Sequence, residues 1–193
     1  LMMNATRQQT PSQTVGPFFH DTLVSEGGNI LVEDATRGER IRIFGSVLDG
    51  DGVPVPDALL EIWQPDARGL YPHTSDPRAE EADEAFRGFG RAATDNDGLY
   101  WFETIKPGGP APEAGAGQAP FVSVRVFARG LLIHAVTRIY FEDETNDADP
   151  VLSRLDPEGR TSLLARREEG GPHAHYRFDV ILQGPNETVF FDV

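Results

Sequence analysis

Short apolar runs separated by polar turns fill this chain. The pattern is clearest in residues 41–71, IRIFGSVLDGDGVPVPDALLEIWQPDARGLY, which read as two strands and the hinge between them. Ile41, Ile43 and Val47 are strand formers, and Asp49-Gly50-Asp51-Gly52 supplies turn residues. Leu59, Leu60, Ile62 and Trp63 make a second, buried run that Pro65 and Gly69 end. A strand ending in Trp63 and leading through a polar loop to Tyr71 sets a phenol at the rim of a sheet, and loops at such rims carry most binding groups.

Phe121–Phe127 alternates, which predicts Val122, Val124 and Val126 on one face and Phe121, Ser123, Arg125 and Phe127 on the other. Arg129-Gly130 turns the chain, and residues 131–141 are predicted to return as the second strand of a hairpin. A further strand at 99–104 follows a turn at 95–98. Two last strands are expected at 174–182 and 188–193, parted by Gly184-Pro185-Asn186. Helix signals are few. Asp76-Pro77 with the acids after it predicts either a short helix or a solvated loop. Asp149-Pro150 opens a short helix to Leu155, and 161–167 is expected to be another, with Arg166 and Arg167 at its C-terminal end. Residues 107–120 are nearly all Gly, Pro and Ala and form a loop.

About seven strands with turns between them and only short helices argue for an all-β protein. The expected architecture is an antiparallel β-sandwich with long loops and a few short peripheral helices. Residues 1–20, broken by prolines and glycine but carrying Phe18 and Phe19, are expected to form an N-terminal arm that docks on a partner; 21–193 would be the sandwich domain.

Composition narrows the classes of function. With 193 residues the chain is one domain that buries roughly 70% of its unfolded surface. Without cysteine it has neither a disulfide framework nor a thiolate metal site, which fits a reducing compartment. A net charge of −14 makes nucleic acid and anionic membranes poor partners. There is no apolar run of membrane-spanning length, and LMMNATRQQ lacks the apolar stretch of a signal peptide, so the expected location is cytoplasmic.

Five histidines and four tyrosines are the candidate metal chemistry. His173 and His175 have chelate spacing if both lie on one strand, since residues i and i+2 share a face. The preferred reading is structural: they are the end of the Gly170-Gly171-Pro172 turn and the start of the strand beyond it. His134 reads as a core or interface histidine, and His20 and His73 lie in loops. Tyr100, Tyr140 and Tyr176 fall inside predicted strands and are expected to be buried structural residues; Tyr71 alone lies in a loop. Arg129, between two strands, is a candidate anion binder.

Several stretches resemble the intradiol ring-cleaving dioxygenases: LLEIWQPDARGLY (59–71), FRGFGRAATDNDGLYWFETIKPG (86–108) and FARG (127–130). TPSQTVGPFF (10–19) and the ending ETVFFDV (187–193) narrow the resemblance to the two-chain members that cleave 3,4-dihydroxybenzoate. The resemblance implies a reaction in which both atoms of O2 enter between the two hydroxyl-bearing carbons, giving 3-carboxy-cis,cis-muconate. It implies Fe(III) held by one of two homologous chains, the β chain, through two tyrosines and a His-x-His pair. Tyr71 falls at the first tyrosine. The other three positions fall at Pro110, Phe121 and Ser123, none of which is a ligand there. The resemblance is therefore to the α chain, which keeps the fold without the metal. Its arm and one arginine wall the β chain's site, and by position these are Thr14, Gly16, Pro17 and Arg129. The implied partner is that β chain, in αβ units assembled into a higher oligomer, and the chain alone is expected to be inactive. Two other readings differ in class: a stand-alone β-sandwich binding module, and a metal enzyme using His173, His175 and a tyrosine.

Overall fold

The computed structural model describes residues 14–16, 22–109 and 117–192. Nine strands run in the order β1 (Arg40–Leu48), β2 (Leu59–Trp63), β3 (Phe89–Ala93), β4 (Leu99–Ile105), β5 (Phe121–Phe127), β6 (Ala135–Phe141), β7 (Leu164–Glu168), β8 (Ala174–Arg177) and β9 (Val180–Ile181). They form one continuous path, β3-β2-β5-β6-β7-β8-β1-β4, with β9 beside β1. β7 is the corner. Its first residues pair with β6 and its last with β8, so the path divides into two sheets. Ile41 and Ile43 of β1 and Phe102 of β4 belong to the same buried cluster as Leu60 and Ile62 of β2, Val122, Val124 and Val126 of β5, and Ile139 of β6. The two sheets therefore share one core as a sandwich.

Residues 41–71 supply one strand to each layer. β1 pairs with β4, β8 and β9, whereas β2 pairs with β3 and β5. The intervening turn is closed by Asp49, whose carboxylate accepts the N–H groups of Asp51 and Val53. Alternation in β5 falls as expected, with the three valines inward. The tyrosines of the predicted strands, Tyr100, Tyr140 and Tyr176, are buried.

The all-β class holds, but the arrangement is not purely antiparallel. β1–β8, β1–β9 and β6–β7 run parallel; for β6–β7 the connection of residues 142–163 is long enough to carry the chain across. The helix expected at 161–167 lies earlier in the chain and shares only residues 161–162 with that range. Helix α1 covers Pro157–Ser162 instead, capped by Asp156, whose Oδ1 accepts the Gly159 N–H at 2.7 Å. Residues 164–168 are drawn into β7 by the free edges of β6 and β8. The Asp76-Pro77 stretch yields only a 3-10 turn at Ala79–Glu81, and 149–155 another at Leu152–Arg154. Residues 131–134 turn before β6 begins at Ala135. The expected strand 174–182 is interrupted at Phe178-Asp179, where the Asp179 carboxylate accepts the Ser46 N–H at 2.9 Å in place of a backbone carbonyl. Residues 188–192 lie along the sandwich as an extended tail rather than a strand. Phe191 N–H donates to Val136 C=O, and Thr137 Oγ1 donates to Val189 C=O.

Candidate functional site

Inward valines in β5 leave Phe121, Ser123, Arg125 and Phe127 on the outer face of the β3-β2-β5-β6 sheet. In register beside them stand Trp63 of β2 and Arg138 of β6, both opposite Ser123. The loop after β2 brings a further residue to this row. Asp66, fully buried, accepts the N–H groups of Arg68 and Leu70 with one oxygen and that of Asp83 with the other. Gly69 has φ +78°, a conformation glycine adopts freely. This tight turn reverses the chain, and Tyr71 stacks on Trp63 with ring centroids 5.5 Å apart and planes 19° off parallel. Burial raises the Tyr71 phenol above its usual range, against the nearby Arg138 charge. The phenol therefore stays protonated at neutral pH.

Arg138 is held at the centre of this row. Its guanidinium lies 4.1 Å from the Phe121 ring centroid and 5.8 Å from that of Phe191. Nη1 donates to the Tyr140 hydroxyl at 3.2 Å, and that hydroxyl donates to Asp149. Burial pushes the Tyr140 phenol up to about 12. Arg138 lines a groove of about 450 Å³, together with Trp63, Phe89, Ser123, Val136 and Phe191.

The second group lies at the opposite end of β5, roughly 20 Å away at about 3.3 Å per residue. Here the structure joins two residues 116 positions apart. Thr14 Oγ1 accepts the Gly130 N–H at 2.9 Å, beside Arg129. Gly130 has φ +87°, which makes the sharp exit from β5 possible. Arg129 is 70% exposed and pairs through Nε with Asp57. Around Gly16 the space is open, and a Cβ there would meet nothing within 4 Å among the described residues. Leu132 and Ile133, 62% and 69% exposed, continue this corner. Pro17 and Pro110 lie outside the described residues.

The two histidines of the chelate spacing do not share a strand face, because β8 begins at Ala174 and His173 precedes it. His175 packs edge-on against Phe44 with ring centroids 6.1 Å apart. His134 lies just before β6, 5.2 Å from the Phe127 ring. His73 turns edge-on to Trp63. Sequence reasoning missed Gln64, whose buried amide donates to Ile105 C=O and accepts the Thr104 hydroxyl, and with it Asp66, Arg138 and Asp149. A buried Gln and Asp flanking Pro65, in an otherwise apolar run, were the available signal for the first two. Arg138 and Asp149 gave none, since an arginine in an amphipathic strand and an Asp before a proline are commonplace.

The residues at the family's ligand positions do not fit ferric iron. Phe121 offers no donor atom and Ser123 only a neutral hydroxyl, which leaves Tyr71 a lone phenol. A permanent guanidinium sits 4.1 Å from the Phe121 ring, where a trivalent cation would be repelled. Among the described residues no group of three or more His, Asp or Glu side chains is placed to hold a metal.

A dioxygenase family model matches residues 14–184. The chain belongs to the intradiol ring-cleaving dioxygenase family. Within it the chain is 44% identical to the protocatechuate 3,4-dioxygenase alpha chain of Burkholderia cepacia, over 97% of this chain and 99% of that one. It is 41% identical to the alpha chain of Pseudomonas putida, over 95% and 96%. To the Burkholderia cepacia beta chain it is 33% identical, over 92% of this chain and 77% of that one. The solved dioxygenase domain of a carbohydrate-binding fusion protein from Streptomyces sp. SirexAA-E superposes with a TM-score of 0.60 at 26% identity, covering 81% of this chain and 87% of that one.

Proposed function

We propose that this chain is the non-iron-binding, α-type subunit of a protocatechuate 3,4-dioxygenase, acting in the β-ketoadipate branch of aromatic catabolism. It pairs with a homologous β-type chain that holds Fe(III), in αβ units of a higher oligomer. The observation that carries this reading is the donor set: Phe121 and Ser123, which the resemblance aligns with ligand positions, offer no anionic donor, and Arg138 stands opposite Ser123 with its guanidinium against the Phe121 ring. The end-to-end similarity to α chains supports it. When bound by the partner, the iron would supply the activation of the catechol toward O2. This chain's residues would bind and enclose.

The Thr14–Arg129 corner is the part proposed to reach the partner's pocket. Thr14 is fixed on Gly130, and Arg129 is braced by Asp57, so a hydroxyl and a guanidinium are presented together. Gly16 has no packing reason within its own described surroundings to lack a side chain, which supports a close backbone approach to something outside the chain. Exposed Leu132 and Ile133 beside the corner suit burial against a partner. Pro17 would complete the wall, and residues 1–20 as a whole are proposed to dock on the partner. No described helix is long and apolar enough to cross a membrane. With the cysteine-free composition, a cytoplasmic location is part of the proposal.

Co-expression with a β-type intradiol chain tests the reading. The expected product is a co-purifying complex with iron in proportion to the β chain, taking up O2 with 3,4-dihydroxybenzoate. This chain alone should carry no stoichiometric iron and show no tyrosinate-to-iron colour. A chain that ignores β-type partners would instead establish the binding-module reading.

Arg129→Ala in that complex is expected to raise KM for 3,4-dihydroxybenzoate about ten- to a hundredfold. This corresponds to about 1.5–3 kcal/mol for a charge-assisted contact to the substrate carboxylate. The Asp57 partner argues for the lower half of that range, since it already compensates part of the charge. Iron content should be unchanged. Steady-state kinetics at low and high salt check it: an effect that vanishes in salt assigns Arg129 to steering, and unchanged kinetics at low salt remove it from the site.

A further inference from the structure

We infer that the groove over Arg138 is itself a binding site for a small, flat aromatic carboxylate, separate from the Thr14–Arg129 corner. The guanidinium is the reason. Its faces are used by Phe121 and Phe191, and stacking of this kind leaves the in-plane N–H donors free. One of them goes to the Tyr140 hydroxyl. Arg138 lines the groove, and a planar N–H edge matches a carboxylate in a two-point contact. Above it the walls are aromatic: Trp63, already stacked with Tyr71, and Phe89 and Phe191. A flat ring can lie against them while its carboxylate reaches the guanidinium.

The charges around the groove favour an anion, although the whole chain carries −14. Arg138 and the exposed Arg125 both line it. The Glu61 carboxylate lies alongside but is committed to Arg91, at 2.7 Å from Nε and 2.6 Å from Nη2. Asp192 is the remaining carboxylate at the rim. Two cations thus face one uncommitted carboxylate. The volume of about 450 Å³ is in the range of small-molecule sites and leaves room for one benzoate-sized ring.

The test uses the full chain, purified without a partner so that no iron-bearing site competes. Trp101→Phe leaves Trp63 as the sole tryptophan and fluorophore at the groove. Benzoate is expected to change Trp63 emission saturably, with one site per chain by equilibrium dialysis. Benzamide, of the same shape but uncharged, should bind at least tenfold more weakly. Arg138→Met, which keeps the length of the side chain against Phe121, should lose at least tenfold in benzoate affinity. Arg125→Met should lose only a few-fold, because Arg125 is at the rim. Equal affinities for benzoate and benzamide would overturn the inference without recourse to any Arg138 variant. So would absence of saturable benzoate binding, or an Arg138→Met chain of unchanged circular dichroism that binds benzoate as before. Pairing with a β-type chain is read separately by co-purification, so either result can fail alone.

Discussion

Replacing Gly45 by alanine is expected to cost about 2–6 kcal/mol, a large part of the stability of a domain worth about 5–15 kcal/mol. Gly45 lies in β1 at the point where the chain beside it changes from β8 to β9. A Cβ there would sit 1.8 Å from the Phe178 carbonyl oxygen and 2.6 Å from its carbon, both backbone atoms. No rotamer relieves that. The carbonyl is pinned in turn, because it accepts the buried Tyr100 hydroxyl at 2.6 Å. Burial raises the Tyr100 phenol far above its usual range, so it remains a donor at any pH at which the protein is folded. The methyl group must push β8 and β9 off β1, forfeiting this bond and the Asp179–Ser46 bond next to it. Overpacking costs about 1–3 kcal/mol and an orphaned buried donor about 1–3 more. Urea titration followed by near-UV circular dichroism checks it. A midpoint within error of the parent would mean that β1 has slack here that the packing does not show.

That site also shows where the sequence was legible and where it was not. The valines of β5 and the run 59–63 were readable because period-two alternation and β-branched side chains report directly on burial. Gly45 carried no such signal, since its requirement comes from a carbonyl 133 positions away. The parallel pairings are of the same kind. Nothing local to residues 164–168 tells a strand from the continuation of a helix. The open edges of β6 and β8 decide it, and they overrode the arginines that had suggested a helix end. The broken strand at Phe178-Asp179 needed a side chain, Asp179, to stand in for a backbone acceptor.

The candidate site divides similarly. Tyr71 was legible because Trp63, Pro65 and Gly69 mark a strand end and a turn, and a phenol beyond them has to sit at the rim. Thr14 and Gly16 were singled out only through resemblance, and Arg129 also as a cation between two strands; the Thr14–Gly130 bond sets Thr14 beside Arg129. Arg138 was not legible at all. An arginine at an outward position of a strand ordinarily points to solvent, and here Phe121, Phe191 and Tyr140 hold it down.

The support beneath that arginine gives the other large expected effect. Asp149→Ala should destabilise the chain by about 3–5 kcal/mol, and Asp149→Asn by clearly less. Asp149 is 0% exposed, and its carboxylate gathers four donors from three segments. Oδ1 accepts Val151 N–H at 2.8 Å, Leu152 N–H at 3.0 Å and the Tyr140 hydroxyl at 3.3 Å. Oδ2 accepts Ala119 N–H at 3.0 Å. Removing the carboxylate leaves three buried backbone donors without partners, at about 1–3 kcal/mol each, partly relieved if water enters the space. Asparagine keeps an oxygen for the Oδ1 group and sets an amide N–H₂ against Ala119 N–H, so one contact turns repulsive while the others survive. At about 2–4 °C per kcal/mol for a chain of this size, the alanine variant should melt about 6–20 °C lower. The damage should be local before it is global. Ala119 leads into β5 and Tyr140 holds Arg138, so hydrogen exchange should rise first at residues 117–121 and 149–152, and benzoate binding should weaken in chain that is still folded. If Asp149→Ala and Asp149→Asn melt alike, the carboxylate is not gathering these donors, and the floor of the groove is held by the Phe121 and Phe191 rings alone.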